Sequence, residues 1–428
     1  MSERRRDHVI IVGAGAAGLI AARELAGAGR KVTLLEARER CGGRIRPLPE
    51  SAFGYRAEAG AEFIHGEAPL TRGLLAEAGL SCVPVAGARW HVAKGTFSQA
   101  DVADRQMQVL YQVLAKLDQD ITVTALLERH FAGAEFDALR ASVLGMVQGY
   151  DAADPDRASV FALRDEWMGG DRGAQARIVG GYGALIDNLT AECRALGVAF
   201  AFQNVVKAIE SGDEGIIVHC ADGRARSGDV VVLTVPLPLL PSIALPAAMD
   251  GQIAAARRIG FGNVIKLLLR FTHRWWLEAT AQDVSYMLFV LSDAAVPVWW
   301  TQHPAGHPVL TGWLGGPVTS AFTALDESAL IETGIAALAD IFGRSVSALR
   351  QNLVVAHATN WASDPFARGA YSYATLDTRR AQDELTRWDG GPVLISGEAL
   401  YRGRDMGTVE AALASGLQTA RTILTADR

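Results

Sequence analysis

Gly13, Gly15 and Gly18 stand in a G-x-G-x-x-G pattern between an apolar run at 8–12 and an Ala- and Leu-rich stretch at 16–28. The chemistry open to that spacing is the grip of a pyrophosphate. The first glycine permits a tight turn, the second lets backbone approach phosphate oxygens, and the third lets a helix pack closely on a strand. Ala16 and Ala17 begin the helix, where free N–H groups and the helix dipole face an anion. Residues 31–35 read as a second strand, and Glu36 follows it at the place where a carboxylate accepts hydrogen bonds from ribose hydroxyls. The same carboxylate would repel a 2′-phosphate, which disfavours NADP. The pattern by itself does not separate FAD from NAD.

Further polar residues sit where their surroundings need a reason. Ala37 and Arg38 continue from Glu36, and Gly42-Gly43-Arg44 follows. The paired glycines allow close approach, and Arg44 supplies either a charged donor to phosphate or a surface ion pair. Lys266 interrupts the apolar run 264–271. Either that strand is half-exposed and Lys266 faces water, or the lysine faces a site. His65 is open to two readings, a substrate contact or a satisfied structural histidine. Trp299 and Trp300 are open to core or pocket. Trp361 and Tyr371, by residue type alone, read as aromatic core.

The elements that must position these residues mix both periods. Strands are expected at 8–12, 31–35, 198–202, 205–209, 216–220, 230–235, 264–271 and 393–396. Helices are expected at 16–28, 102–117, 125–131, 136–147, 182–196, 327–342 and 409–424. A chain of 428 residues, 50% of them hydrophobic, is too long for one compact core. The expected class is α/β, with a discontinuous Rossmann-type nucleotide-binding domain (1–85, 200–245 and 385–428) and an inserted α+β substrate domain (86–199 and 246–384). The formal charge of −6 argues against nucleic acid as a partner and is ordinary for a soluble protein. Cys41, Cys82, Cys193 and Cys220 lack metal-ligand or redox-motif spacing, so no metal site is expected, and reduced thiols point to the cytoplasm. A basic run at 4–6 before an apolar segment imitates a secretory leader, but that segment holds the glycine pattern. The most apolar stretch, 230–246, is broken by Pro236, Pro238, Pro241 and Pro246, so no membrane partner is expected.

Beyond the glycine pattern, Gly42-Gly43-Arg44, then Glu58-Ala59-Gly60-Ala61-Glu62-Phe63-Ile64-His65-Gly66, resembles the flavin amine oxidases. The likeness continues through Val264-Ile265-Lys266 with Trp275-Trp276, Trp361-Ala362-Ser363-Asp364-Pro365, Gly369-Ala370-Tyr371-Ser372-Tyr373, Gly397-Glu398 and Gly407-Thr408-Val409-Glu410. No motif is matched between about 86 and 200. The resemblance implies FAD, with Gly43 and Arg44 along the pyrophosphate and Gly60, Ala61, Glu62 and Phe63 near the flavin. It implies that Trp361 lies over the ring, and that Val205, Gly397, Glu398, Thr408 and Val409 complete the cofactor contacts. Lys266 would hold a water at flavin N5, with Tyr371 and His65 toward the substrate. Monoamine oxidases link flavin through a cysteine where Ala370 stands, so the FAD is expected to be non-covalent. Their substrate cage has two aromatic rings; Tyr371 matches one and Thr408 stands at the other, as in the histone demethylase branch, which leaves room for a bulkier amine. No counterpart of their membrane-anchoring helix is expected.

The reaction implied is hydride removal from the carbon beside an amine nitrogen, giving an imine, with molecular oxygen reoxidising the flavin to yield hydrogen peroxide. The alternatives are another FAD enzyme on the same fold (a desaturase, a protoporphyrinogen-type oxidase or an L-amino acid oxidase) and a flavoprotein whose role is partner binding. An L-amino acid oxidase should carry an arginine for the substrate carboxylate, and Arg89 and Arg164 are the residues to examine.

Overall fold

The computed structural model describes residues 7–99, 104–169, 175–212 and 215–426. The basic run at 4–6 and the start of the helix expected from 102 lie outside them. The first strand β1 (His8–Val12), helix α1 (Ala16–Gly27) and second strand β2 (Lys31–Leu35) form the expected βαβ unit. β1 is the centre of a five-stranded parallel sheet. Val230–Leu233 and then Val393–Ile395 lie on one side, and β2 and then Ala199–Ala201 on the other. These strands are apolar on both faces because both are covered, one by helices and the other largely by a three-stranded antiparallel sheet (Val206–Gly212, Gly215–Cys220 and Ala225–Gly228).

A second sheet has seven strands. In spatial order they are Leu353–Asn360, Val264–Phe271, Val309–Gly315, Val298–Trp300, Met287–Ser292, Ala88–Ala93 and Thr96–Ser98. All neighbours are antiparallel except Met287–Ser292 with Ala88–Ala93. Ile265, Leu267 and Leu269 point into a core shared with the helix Glu327–Phe342. The alternate residues Val264, Lys266 and Leu268 face the opposite way. Helices Asp104–Lys116, Val123–His130, Asp137–Gly149 and Val160–Trp167 pack around their own core. The last of these was not among the expected elements. No helix among the described residues is long and apolar enough to cross a membrane, and the four cysteines are free thiols.

The closing helix, Val409–Thr425, packs along α1. Gly416 makes this possible: a Cβ there would stand 2.2 Å from the carbonyl oxygen of Ala17. Gly416→Ala must therefore force the two helices apart. The expected cost is about 1–3 kcal/mol, typical of overpacking, read as a lower thermal midpoint. An unchanged midpoint would show that the crossing is loose.

Candidate active site

The glycine loop is built as its spacing predicts. Gly13 has a φ of +108° and donates to the Leu35 carbonyl at 2.7 Å. A Cβ on Gly18 would stand 2.0 Å from the Gly13 carbonyl oxygen, so the third glycine serves close packing, and Gly18 does not line the cavity described below. A Cβ on Gly15 would meet nothing within 4 Å, which leaves that side of the loop open. Glu36 is buried and accepts from Ala14 N–H and Arg38 N–H, both at 2.8 Å. Its carboxylate thus braces the loop, with lone pairs left for hydroxyl donors.

One cavity of about 2340 Å³ begins at this loop and runs between the two sheets. Apart from Gly18, every site residue singled out from the sequence lines it. Gly13, Gly15, Ala16, Ala17, Glu36, Ala37, Arg38, Val205, Gly397 and Thr408 lie among them with Val409. Arg38 pairs with Asp364 at 2.5 Å, and Arg44 pairs with buried Glu398 at 2.8 Å while donating to the Ala370 carbonyl. The Arg44 ion pair is therefore half-buried and ties the N-terminal segment to the C-terminal one. Gly60 allows a further close approach, since its Cβ would stand 1.8 Å from the Arg44 carbonyl oxygen.

Lys266 is 1% exposed, which excludes the reading in which it faces water. Its Nζ donates to the Gly60 carbonyl at 3.0 Å and to Glu62 Oε2 at 2.8 Å, and lies 5.4 Å from the centre of the Trp300 ring. Glu62 Oε1 accepts from Arg177 Nε at 2.9 Å, Trp300 Nε1 at 3.1 Å and Gln302 Nε2 at 3.3 Å. Burial would raise the Glu62 carboxyl, but Lys266 and Arg177 outweigh it and hold it down to about 2. Of the paired tryptophans, Trp299 belongs to the core and Trp300 lines the cavity.

A second group gathers at Tyr371, beyond Lys266. Tyr371 Oη donates to the Tyr150 carbonyl at 2.6 Å, and the Tyr150 hydroxyl bonds His65 Nδ1 at 2.8 Å. Burial pushes His65 down to about 4, so it is neutral near pH 7. Asp151 lines the same region; burial and the neighbouring Glu166 carboxyl raise it well above the usual range. Thr408 caps the closing helix, accepting from Ala411 N–H at 3.2 Å and donating to the Asp405 carbonyl at 2.6 Å. That capping role accounts for a small hydroxyl residue there. Arg164 is turned to the Leu117 carbonyl and lies over Phe161.

Arg177, Tyr150 and Asp151 were not found by sequence reasoning. Arg177 lies in the short strand Gln175–Ile178, whose alternation of buried Ala176 and Ile178 with polar neighbours was its one signal.

The sequence pattern of the flavin-containing amine oxidoreductases matches residues 16–112 and 110–424. The chain belongs to that family. It is 27% identical to the human lysine-specific histone demethylase 2 over 97% of this chain and 53% of that protein. It is 26% identical to the probable polyamine oxidase 4 of Arabidopsis thaliana over 85% of this chain and 76% of that one. The chain thus spans about half the length of the histone demethylases it matches. Among solved structures, wild-type putrescine oxidase bound to putrescine superposes with a TM-score of 0.81 at 21% identity, covering 99% of both chains. The α/β fold with its parallel nucleotide-type sheet is therefore the amine oxidase fold.

Within this family frame one carboxyl stands out. Glu58 is buried and accepts from Gly183 N–H at 2.8 Å, while its Oε2 has no hydrogen-bond partner among the described residues. Burial pushes it up from 4.5 to about 7. Because the folded state holds this proton more tightly than the unfolded chain, the Glu58 contribution to stability falls as pH rises from about 4.5 through about 7. Glu58→Gln should remove that fall. At about pH 8 the variant should be more stable by on the order of 2–3 kcal/mol, and the difference should close toward pH 5. Denaturant unfolding of both proteins across pH measures it; parallel curves would place the Glu58 value near that of an ordinary carboxyl.

Proposed function

We propose that the chain binds FAD non-covalently and oxidises an amine whose reacting carbon is brought to the Lys266–Tyr371 region. The observation that carries this reading is the continuity of one cavity. It starts at a glycine loop open on the Gly15 side, passes the Lys266–Glu62 pair and ends among Tyr371, Tyr150 and His65. The cradle fits a dinucleotide: Gly15 leaves backbone exposed, the first turn of α1 offers N–H groups, and Glu36 keeps acceptor capacity for ribose. Arg38, Gly43 and Arg44 would hold the pyrophosphate side. Gly60 to Phe63, Trp361, Gly397, Glu398, Thr408 and Val409 would hold the ring end, and Val205 the opposite end. Ala370 offers only a methyl group, with no sulfur for a covalent link. When bound, FAD supplies the hydride acceptor and passes the electrons to oxygen, so that amine, oxygen and water become carbonyl compound, ammonia or a smaller amine, and hydrogen peroxide.

The protein residues select and prepare the substrate. Neutral His65 and the Tyr150–Tyr371 pair present no fixed positive charge to repel an amine. Asp151, which burial and Glu166 push toward its protonated form, adds no fixed charge of either sign. Of the two arginines that could hold a substrate carboxylate, Arg164 is turned to the Leu117 carbonyl and Phe161, while Arg89 lines the cavity, so the L-amino acid alternative turns on Arg89. Among the polyamine-oxidase-like and demethylase-like choices, a free small-molecule amine fits the neighbouring putrescine oxidase structure.

The purified protein should be yellow, release FAD on acid or heat denaturation, and form peroxide with members of an amine panel. Colourless folded protein, or flavin that stays with the precipitated polypeptide, would count against the respective halves of the proposal. Lys266→Met should keep the FAD content and slow flavin reduction by amine, reoxidation by oxygen, or both. A tenfold effect is about 1.4 kcal/mol of barrier, within reach of one charge in a dry site. Stopped-flow traces unchanged in both half-reactions would remove Lys266 from the catalytic set.

A further inference from the structure

Lys266 cannot act as a simple positive charge while it is paired with Glu62 alone. The pair sums to zero, and at 2.8 Å the carboxylate would cancel most of the ammonium's field. The structure supplies a third member. Arg177 binds the other oxygen of Glu62 through Nε, and spends its remaining donors on carbonyls, Nη1 on His303 at 3.2 Å and Nη2 on Thr301 at 3.1 Å. Its guanidinium lies 4.6 Å from the centre of the Phe63 ring. That stacking follows from register, because Arg177 and Phe63 are directly opposed in the antiparallel pairing of Gln175–Ile178 with Phe63–His65. Arg177 does not line the cavity; it stands behind Glu62, which does. Trp300 and Gln302 add neutral donors to Glu62 and leave the charge sum untouched.

We propose that Arg177 is a positioning residue that neutralises Glu62 from behind, so that the cluster Arg177–Glu62–Lys266 keeps one net positive charge and presents it through Lys266 to the ring end of the cavity. The inference rests on the flavin amine oxidase reading. A positive charge there stabilises the electron-rich reduced ring relative to the oxidised one. Glu62 has two functions in this scheme. It fixes the ammonium in a dry strand, and without Arg177 it would also silence it. Arginine suits the rear position because its fork reaches a carboxylate and two carbonyls at once, and it stays charged when buried.

The test is a charge series read by the flavin midpoint potential, with FAD content and thermal midpoint measured on the same holoenzymes. Glu58 interacts electrostatically with Lys266 and Glu62, so the titrations are run at about pH 6, below its value of about 7, where it is mainly protonated. Arg177→Gln brings the cluster to zero and should lower the potential. Glu62→Gln brings it to two positive charges and should raise it. The double variant Arg177→Gln/Glu62→Gln returns it to one and should restore a potential near that of the parent. Each single shift should be tenfold or more in the reduction equilibrium, which for a two-electron couple is about 30 mV per tenfold. Arg177→Lys keeps the charge without the fork; it should hold the parent potential while lowering the thermal midpoint, and it serves if Arg177→Gln does not fold.

A merely structural Arg177 gives a different pattern. Both single variants would move the potential in the same direction, or the double variant would be displaced by the sum of losses; either result overturns the proposal. A parent protein that holds no flavin, or whose flavin no amine reduces, would overturn the amine oxidase reading beneath it instead.

Discussion

An ammonium group in the middle of a doubly covered strand is the constraint around which the site is organised. Leaving one buried charge unpaired would cost several kcal/mol, and Lys266 is 1% exposed. The answer requires four separate stretches of chain to meet: the strand Val264–Phe271, the segment from Gly60 to Phe63, the short strand Gln175–Ile178, and the strand end carrying Trp300 with Gln302 beyond it. The ion cluster is thus a fixed point joining the seven-stranded sheet to the segment that leads away from the glycine loop. Such a cluster is poor evidence for stability, since an apolar replacement of the whole set can be as stable. Its value lies in placing charge where the cavity changes character.

Close backbone approach does the complementary work. Gly18 against Gly13, Gly60 against Arg44, and Gly416 against Ala17 each remove a side chain where two backbones touch. These contacts hold the loop, the opening helix and the closing helix together, and the cavity is what remains on the open side of Gly15. The ion pairs Arg38–Asp364 and Arg44–Glu398 join residues far apart in sequence across the same region. Both ends of the chain therefore wall one cavity.

The legible parts of the protein were those whose physics is local. The β1–α1–β2 unit follows from a buried strand, a glycine turn and an Ala-rich helix, all within neighbouring residues, and its bounds were readable to within a residue. The strand Val264–Phe271 and the helix Glu327–Phe342 were readable for the same reason. Gln175–Ile178 was not, because four residues carry too little periodicity to separate a strand from a loop. Tyr150 was passed over at the end of a helix whose exposed and buried faces were mixed. Asp151 follows it in a turn, and a lone acidic residue in a turn ordinarily signals nothing more than solvation.

Residue types alone left Lys266 balanced between water and a site, Arg44 between phosphate and an ion pair, and Trp299 and Trp300 undivided. Tertiary structure decided each by a long-range fact. A neighbour at Gly60 and Glu62 claimed Lys266, pairing with buried Glu398 set Arg44 in the cavity wall instead of in a surface ion pair, and strand alternation sent Trp299 to the core and Trp300 to the cavity. By itself the sequence determined that a dinucleotide-type loop opens the chain, that helices and strands alternate around it, and that family motifs recur to its end. Only the folded chain decided which charges cancel. Glycine turns and periodicities act between residues a few positions apart, whereas the charge presented by Lys266 depends on Glu62 and Arg177, which only the packing of distant strands brings within hydrogen-bond distance.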